Sequence, residues 1–250
     1  LDTLESVIAT NPNNLVLQKA YGMTALNSDT RKDRGIVTLE KLIALDPTDT
    51  SVQLSLIKYY LTHDKQELAI AKLEKLLKDF PQDENVTGLY IQAMHQQGKP
   101  NVASKAMQAL LLERDRDVVT LNMAGRYAIS TGQIEQAKKL LTEAISKQAT
   151  NSIALTMLGG LELRDKNAPK AGKLFQQLIE ADPTDPAGYK GAISALELNQ
   201  ERSKIATKLK NYATFYQTKT PTPNFVLAEY YLLNNQLAEA SNIVNSHEDK

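Results

Sequence analysis

Apolar residues fall on one face of short helical runs from one end of the chain to the other. In the opening stretch Leu4, Val7 and Ile8 share a helix face before Asn11-Pro12 ends the run. Beyond it the runs come in pairs joined by polar or helix-breaking turns, such as His63-Asp64-Lys65, Gln97-Gly98-Lys99-Pro100 and Thr131-Gly132-Gln133. The predicted pairs are 14–27 with 31–45, 50–62 with 65–79, 84–97 with 100–113, 118–131 with 134–147, and 152–165 with 168–181. Two more follow, 186–198 with 202–217 and 223–233 with 237–246, which gives fifteen helices and no strands.

The pairs are in phase. Ala69, Ala103, Ala137 and Ala171 lie 34 residues apart, Gly35 precedes them by 34, and Ala240 follows Ala171 by 69, two periods plus one residue. A small side chain there lets neighbouring helices approach; a larger one would overpack the contact at a cost of roughly 1–3 kcal/mol. Pro47, Pro81 and Pro183 close second helices at one phase, and Asp115 and Ala149 stand at that phase elsewhere. Thr48 or Asp49, Asp83, Asp117, Asn151 or Ser152, and Asp185 are placed to cap the helix that follows. The acid pairs Asp46 with Asp49 and Asp182 with Asp185 flank prolines and read as caps, not as an acid–base couple. Two repeats depart from the pattern: the first has an extra residue in its turn, Asn27 to Arg31, and the sixth has its small position between Ile205 and Ala206. In the sixth, Tyr212, Phe215 and Tyr216 are expected to pack against the seventh pair.

Within 152–183, Leu155, Leu158, Gly159, Ala171, Phe175 and Pro183 keep the spacing W-x2-L-G-x2-Y…A-x3-F…P, with Leu155 at the Trp place and Glu162 at the Tyr place. The chain thus resembles the tetratricopeptide-repeat family. The resemblance implies an all-α, right-handed α-solenoid spanning 1–250 as a single domain: a half repeat at 1–13, seven helix pairs over 14–246, and a short tail at 247–250. Both ends read as cut from a longer array, which would leave an apolar face on 237–246 able to pair with another copy. In this family the first helices line a concave channel that holds a partner segment. Carried over, those positions are Lys19, Met23 and Asn27; Ser55, Lys58 and Thr62; Asn85, Gln92, His95 and Gln96; and Asn122, Met123, Arg126 and Ser130. Thr156, Met157 and Arg164, then Lys190, Ser194 and Glu197, and finally Phe225 and Glu229 complete the set. Chaperone-binding members place Asn four residues after Lys; here Met23 follows Lys19 and Ser194 follows Lys190, which disfavours that role. The lysine-, asparagine- and glutamine-rich repeats are also similar in style to bacterial tetratricopeptide-repeat proteins and lipoproteins of exopolysaccharide export and surface-protein sorting. That likeness implies a periplasmic or outer-membrane-anchored setting over a cytoplasmic one.

Charge and chemistry narrow the function further. The 29 basic and 29 acidic residues cancel, so no global field draws nucleic acid. The absence of cysteine removes thiolate metal sites and cysteine nucleophiles. No apolar run is long enough to cross a membrane as a helix. His63, His95 and His247 share no spacing, no catalytic or phosphate-loop motif occurs, and Gly159-Gly160 sits where the repeat wants small residues for packing. No enzyme, cofactor or metal is expected. The expected function is a protein–protein interaction scaffold holding an extended, acidic partner segment, because amides bond its backbone and Arg126 and Arg164 pair with carboxylates. The alternatives are a module that binds polysaccharide, or the regulatory arm of an enzyme encoded outside these residues.

Overall fold

The computed structural model describes residues 1–81 and 83–248, which form fifteen α-helices and one 3-10 turn with no strand among the described residues. They divide into two compact units, Leu1–Glu113 and Arg114–Lys250. The first unit holds α1 (Asp2–Thr10) and the pairs α2 (Leu15–Ala25) with α3 (Lys32–Leu45), α4 (Thr50–Thr62) with α5 (Gln66–Asp79), and α6 (Glu84–Gln96) with α7 (Pro100–Glu113). The second holds α8 (Val118–Ser130) with α9 (Ile134–Lys147), α10 (Ser152–Arg164) with α11 (Ala168–Ala181), α12 (Pro186–Leu198) with α13 (Ile205–Phe215), and α14 (Thr222–Leu233) with α15 (Leu237–Glu248). The tail expected at 247–250 begins inside α15; residues 249–250 and the side chain of His247 lie outside the described residues.

Each junction is built from local chemistry that recurs with the period. At the caps, Asp49 accepts from the N–H groups of Ser51 and Val52, Asp83 from Asn85 and Val86, Asp117 from Thr120, Asn151 from Ala154 and Asp185 from Ala187. Asp46 and Asp182 do something else. Each accepts from the N–H and hydroxyl of the threonine two residues on, Thr48 and Thr184, so they fold the proline turn instead of capping a helix. Within the pairs, Asp64, Gly98, Gly132, Lys166 and Gln200, spaced 34 apart, and then Asn235, all have positive φ. After each of them a backbone N–H reaches the carbonyl five residues back, as from Gln133 to Ala128 at 2.8 Å and from Asn167 to Glu162 at 2.8 Å. This is the Schellman closure of a helix C-terminus.

The core repeats in the same way. Leu39, Leu73, Met107, Leu141, Phe175 and Leu209 are 34 apart and all buried, each a knob from a second helix. Ala69, Ala103, Ala137, Ala171 and Ala240 are buried as the spacing requires, and a Cβ on Gly35 would lie 2.9 Å from that of Ala25. Gly159 also packs as expected: a methyl there would come within 2.8 Å of the Phe175 ring. The sixth repeat differs. Buried Ile205 stands where others have alanine, and the expected 202–217 helix resolves into a 3-10 turn, Arg202–Lys204, followed by α13. Of its aromatics, Tyr212 and Tyr216 are buried, with Tyr212 edge-on to Tyr189 at 5.5 Å, but Phe215 points out at 74% exposure.

Candidate functional site

In each unit the first helices lie side by side, α2 with α4 and α6, and α8 with α10, α12 and α14. Their outward positions form the candidate face. In the first unit much of it is already engaged. Lys19 Nζ donates to Asp49 Oδ2 at 2.6 Å and to Ser51 Oγ at 2.7 Å, tying α2 to the cap of α4. Bonding from Lys19 and Ser51 outweighs partial burial and holds the Asp49 carboxyl at about 2, below its usual 3.8. Ser55 and Thr62 turn their hydroxyls onto helix carbonyls, and Met23 and His95 are half-buried. Asn27 lies beyond the end of α2, outside the helix face. Lys58, Asn85, Gln92 and Gln96 are exposed.

The second unit keeps more of its face open. Asn122 is the exception: at 8% exposure its amide exchanges two hydrogen bonds with that of Asn151, 3.2 Å and 3.0 Å, and Asn151 also caps α10. The sequence placed Asn122 in the partner face; the structure buries it as a bracket between two first helices, since an amide pair of this kind satisfies both side chains away from water. Met123, Thr156 and Met157 are half-buried, whereas Arg126, Ser130, Arg164 and Ser194 are exposed. Arg126 makes no ion pair among the described residues, and Arg164 has only its neighbour Asp165, at 3.8 Å. Lys190 and Glu229 meet at 2.9 Å across α12 and α14, and Glu197 lies 3.7 Å from Arg202. Phe225 is 59% exposed.

Sequence reasoning missed two positions and misread a third, Gly160, which it assigned to packing. Gly160, next to buried Gly159, has nothing within 4 Å of where a Cβ would stand, so a ligand backbone can come close to α10 there. Val119 and Ile153 are exposed at the second position of α8 and α10, 34 residues apart. That spacing was the available signal for an apolar edge to the face.

The buried ionisable groups serve structure. Glu162, 2% exposed, accepts from Lys170 Nζ at 2.8 Å and Asn167 Nδ2 at 2.9 Å, with Lys138 at 3.6 Å. Burial alone would raise its pKa, but the Lys170 bond and the two lysine charges bring it below the usual carboxylate value. Burial drives the Tyr189 hydroxyl far above its ordinary pKa, and it donates to the Pro183 carbonyl at 2.9 Å. Among the described residues no group of three or more His, Asp or Glu could hold a metal ion, and no helix is long and apolar enough to cross a membrane.

Residues 122–186 match a family model described as tetratricopeptide repeat. No curated protein matches the chain in sequence. Among solved structures the chain is similar to the MamA protein, at 18% identity and a TM-score of 0.51 over 68% of this chain and 93% of that one. It is also similar to PilF of Pseudomonas aeruginosa, at 15% identity and 0.51 over 85% and 97%. The human IFIT1 dimer with m7Gppp-AAAA aligns at 12% identity and 0.54 over 97% of this chain and 62% of that one. At these identities the likeness shows the shared fold.

Proposed function

We propose that this chain, which is a tetratricopeptide-repeat protein, is a non-catalytic scaffold that holds an extended, acidic segment of a partner protein on the first-helix face of its second unit. The observation that carries this reading is the pair of exposed guanidiniums, Arg126 on α8 and Arg164 on α10, bordering the open surface at Gly160. The Thr156 hydroxyl beside them can bond a peptide backbone, and Val119 and Ile153 offer an apolar edge. Guanidiniums pair with carboxylates through two parallel bonds, so they favour an acidic segment over a neutral one. The non-catalytic reading is supported by the buried ionisable groups, which are committed to brackets and caps. IFIT1 carries RNA on the same fold; here the formal net charge of zero favours peptide.

The test is affinity capture of a partner by the full chain beside an Arg126→Glu, Arg164→Glu double variant, with protein, polysaccharide and RNA all assayed. One protein retained by the wild type and released by the reversal, with an unchanged Tm, is the expected result. Retention that is the same in both removes the first-helix reading. Capture of polymer alone replaces the peptide with polysaccharide or RNA.

A further inference from the structure

Successive repeats of the second unit carry equivalent clefts on the second-helix side, one beside α9 and α11, the next beside α11 and α13. Their lining residues correspond at a shift of 34: Lys138 with Gly172, Lys139 with Lys173, Glu162 with Leu196. The first cleft, of about 630 Å³, is lined by charged side chains that pair with one another. Lys138, 19% exposed, reaches in to Asp165 at 2.5 Å and Glu162 at 3.6 Å, and Lys170 closes on Glu162 at 2.8 Å.

The second cleft lacks those groups. Gly172 stands where the first cleft has Lys138, and Leu196 stands where it has the buried acid. The cleft, of about 670 Å³, is close in size to the first, but its floor is Ala192, Ala195 and Leu196 in place of a charged cluster. Packing does not require the glycine: a Cβ there would meet only Ala195, at an ordinary 3.7 Å. Glycine inside a helix also costs roughly 0.5–1 kcal/mol relative to alanine. On the rim, Lys170 is already bonded to Glu162 and Glu201 to Lys204. Lys173 and Lys208 make no ion pair among the described residues, and Lys208 stands 5.9 Å over the Tyr212 ring. The rim charge left over is therefore positive, above an apolar floor.

We infer that this cleft is a second docking site, separate from the first-helix face, for an acidic peptide segment with one apolar anchor. The anchor side chain sits on Leu196 and the alanines in the space Gly172 leaves, and flanking carboxylates pair with Lys173 and Lys208. A purely anionic ligand would leave the apolar floor uncovered, which is why a peptide with an anchor fits better than a bare polyanion.

The experiment is a fluorescence-anisotropy titration of the full chain with a fluorescein-labelled peptide carrying Leu-Phe between pairs of glutamates. The expected result is saturable binding weakened roughly tenfold or more by Gly172→Lys, which puts a long charged side chain over the apolar floor, and by Lys173→Glu on the exposed rim. The Arg126→Glu, Arg164→Glu variant, whose first-helix face no longer attracts acidic peptide, should keep the component of binding that Gly172→Lys and Lys173→Glu remove. Lys173→Glu keeps the test decisive if Gly172→Lys lowers the Tm. The inference is overturned by no saturable binding to the wild type, by equal binding of an all-glutamate peptide, or by undiminished binding to a folded Gly172→Lys. Loss of binding on the arginine reversal alone also overturns it, by moving the peptide to the first-helix face while leaving the scaffold reading intact.

Discussion

Of the six positive-φ positions in the turns within helix pairs, four are held by residues other than glycine: Asp64, Lys166, Gln200 and Asn235. A left-handed backbone costs an L-residue roughly 1–2 kcal/mol, and glycine avoids that at an unfolded-state entropy cost of roughly 0.5–1. Lys166→Gly and Gln200→Gly should therefore each stabilise the protein by about 0.5–1 kcal/mol, and Gly132→Ala should destabilise it by about 1. Shifts in urea midpoint at constant slope measure both, and a loss for either lysine or glutamine variant would contradict the turn geometry. These turns were legible as turns from their polar residues, but only the backbone shows that one position per turn carries the strain. Asp49 makes a second residue-scale case. Its folded pKa of about 2 lies below its ordinary 3.8, so its contribution is complete above the ordinary value and is lost as pH falls toward 2. Carboxyl NMR titration should find Asp49 protonating near 2 in the wild type and moving up toward 3.8 in Lys19→Met. Titration at the ordinary value in both would mean the Lys19 bond does not form in solution.

At the level of elements, the contact of α10, α11 and α12 turns on one ring. Phe175 lies between Gly159 and Gly191, and a methyl on Gly191 would approach its Cδ1 to 2.2 Å. Helix propensity favours alanine over glycine by up to about 1 kcal/mol, whereas forcing a buried ring aside costs roughly 1–3. The clash wins, so Gly191→Ala should lower the Tm, and Phe175→Leu should be tolerated better in that background than in the wild type. A double-mutant cycle measures the coupling; strict additivity would show the ring is free to move. The sequence made Gly159 readable, because it falls on the repeat phase. Gly191 stands two residues off that phase, and only the packed neighbour reveals why it is small.

Contacts stay local along the chain: among the described residues of either unit no helix touches another more than two places away. Stability in such arrays is a sum of repeat and neighbour terms, so damage spreads no farther than the adjoining repeats. Hydrogen exchange on Gly191→Ala should show protection lost first in α10 to α13, with α8 and the first half of α9 changed least; uniform loss across the second unit would mean it opens as one cooperative block. The candidate face was less legible than the fold. Lys19 and Asn122 carry the right chemistry at the right phase, yet each bonds the cap of the next first helix. Their partners, Asp49 and Asn151, lie about one repeat away in sequence and become neighbours only when the helices stack.

The sequence by itself determined the helices, their turns, their caps and the small-residue contacts. All of these depend on chemistry within a few residues of each position or on a strict period, and both are written linearly. Tertiary structure alone decided which polar groups face outward and which bracket neighbouring helices, that Phe175 needs glycine on two sides, and that replacing Lys138 and Glu162 by Gly172 and Leu196 one period later turns a charged cleft into one with an apolar floor. Those outcomes depend on side chains from different repeats meeting in space, where a single bond or a single missing side chain changes what the same residue type does.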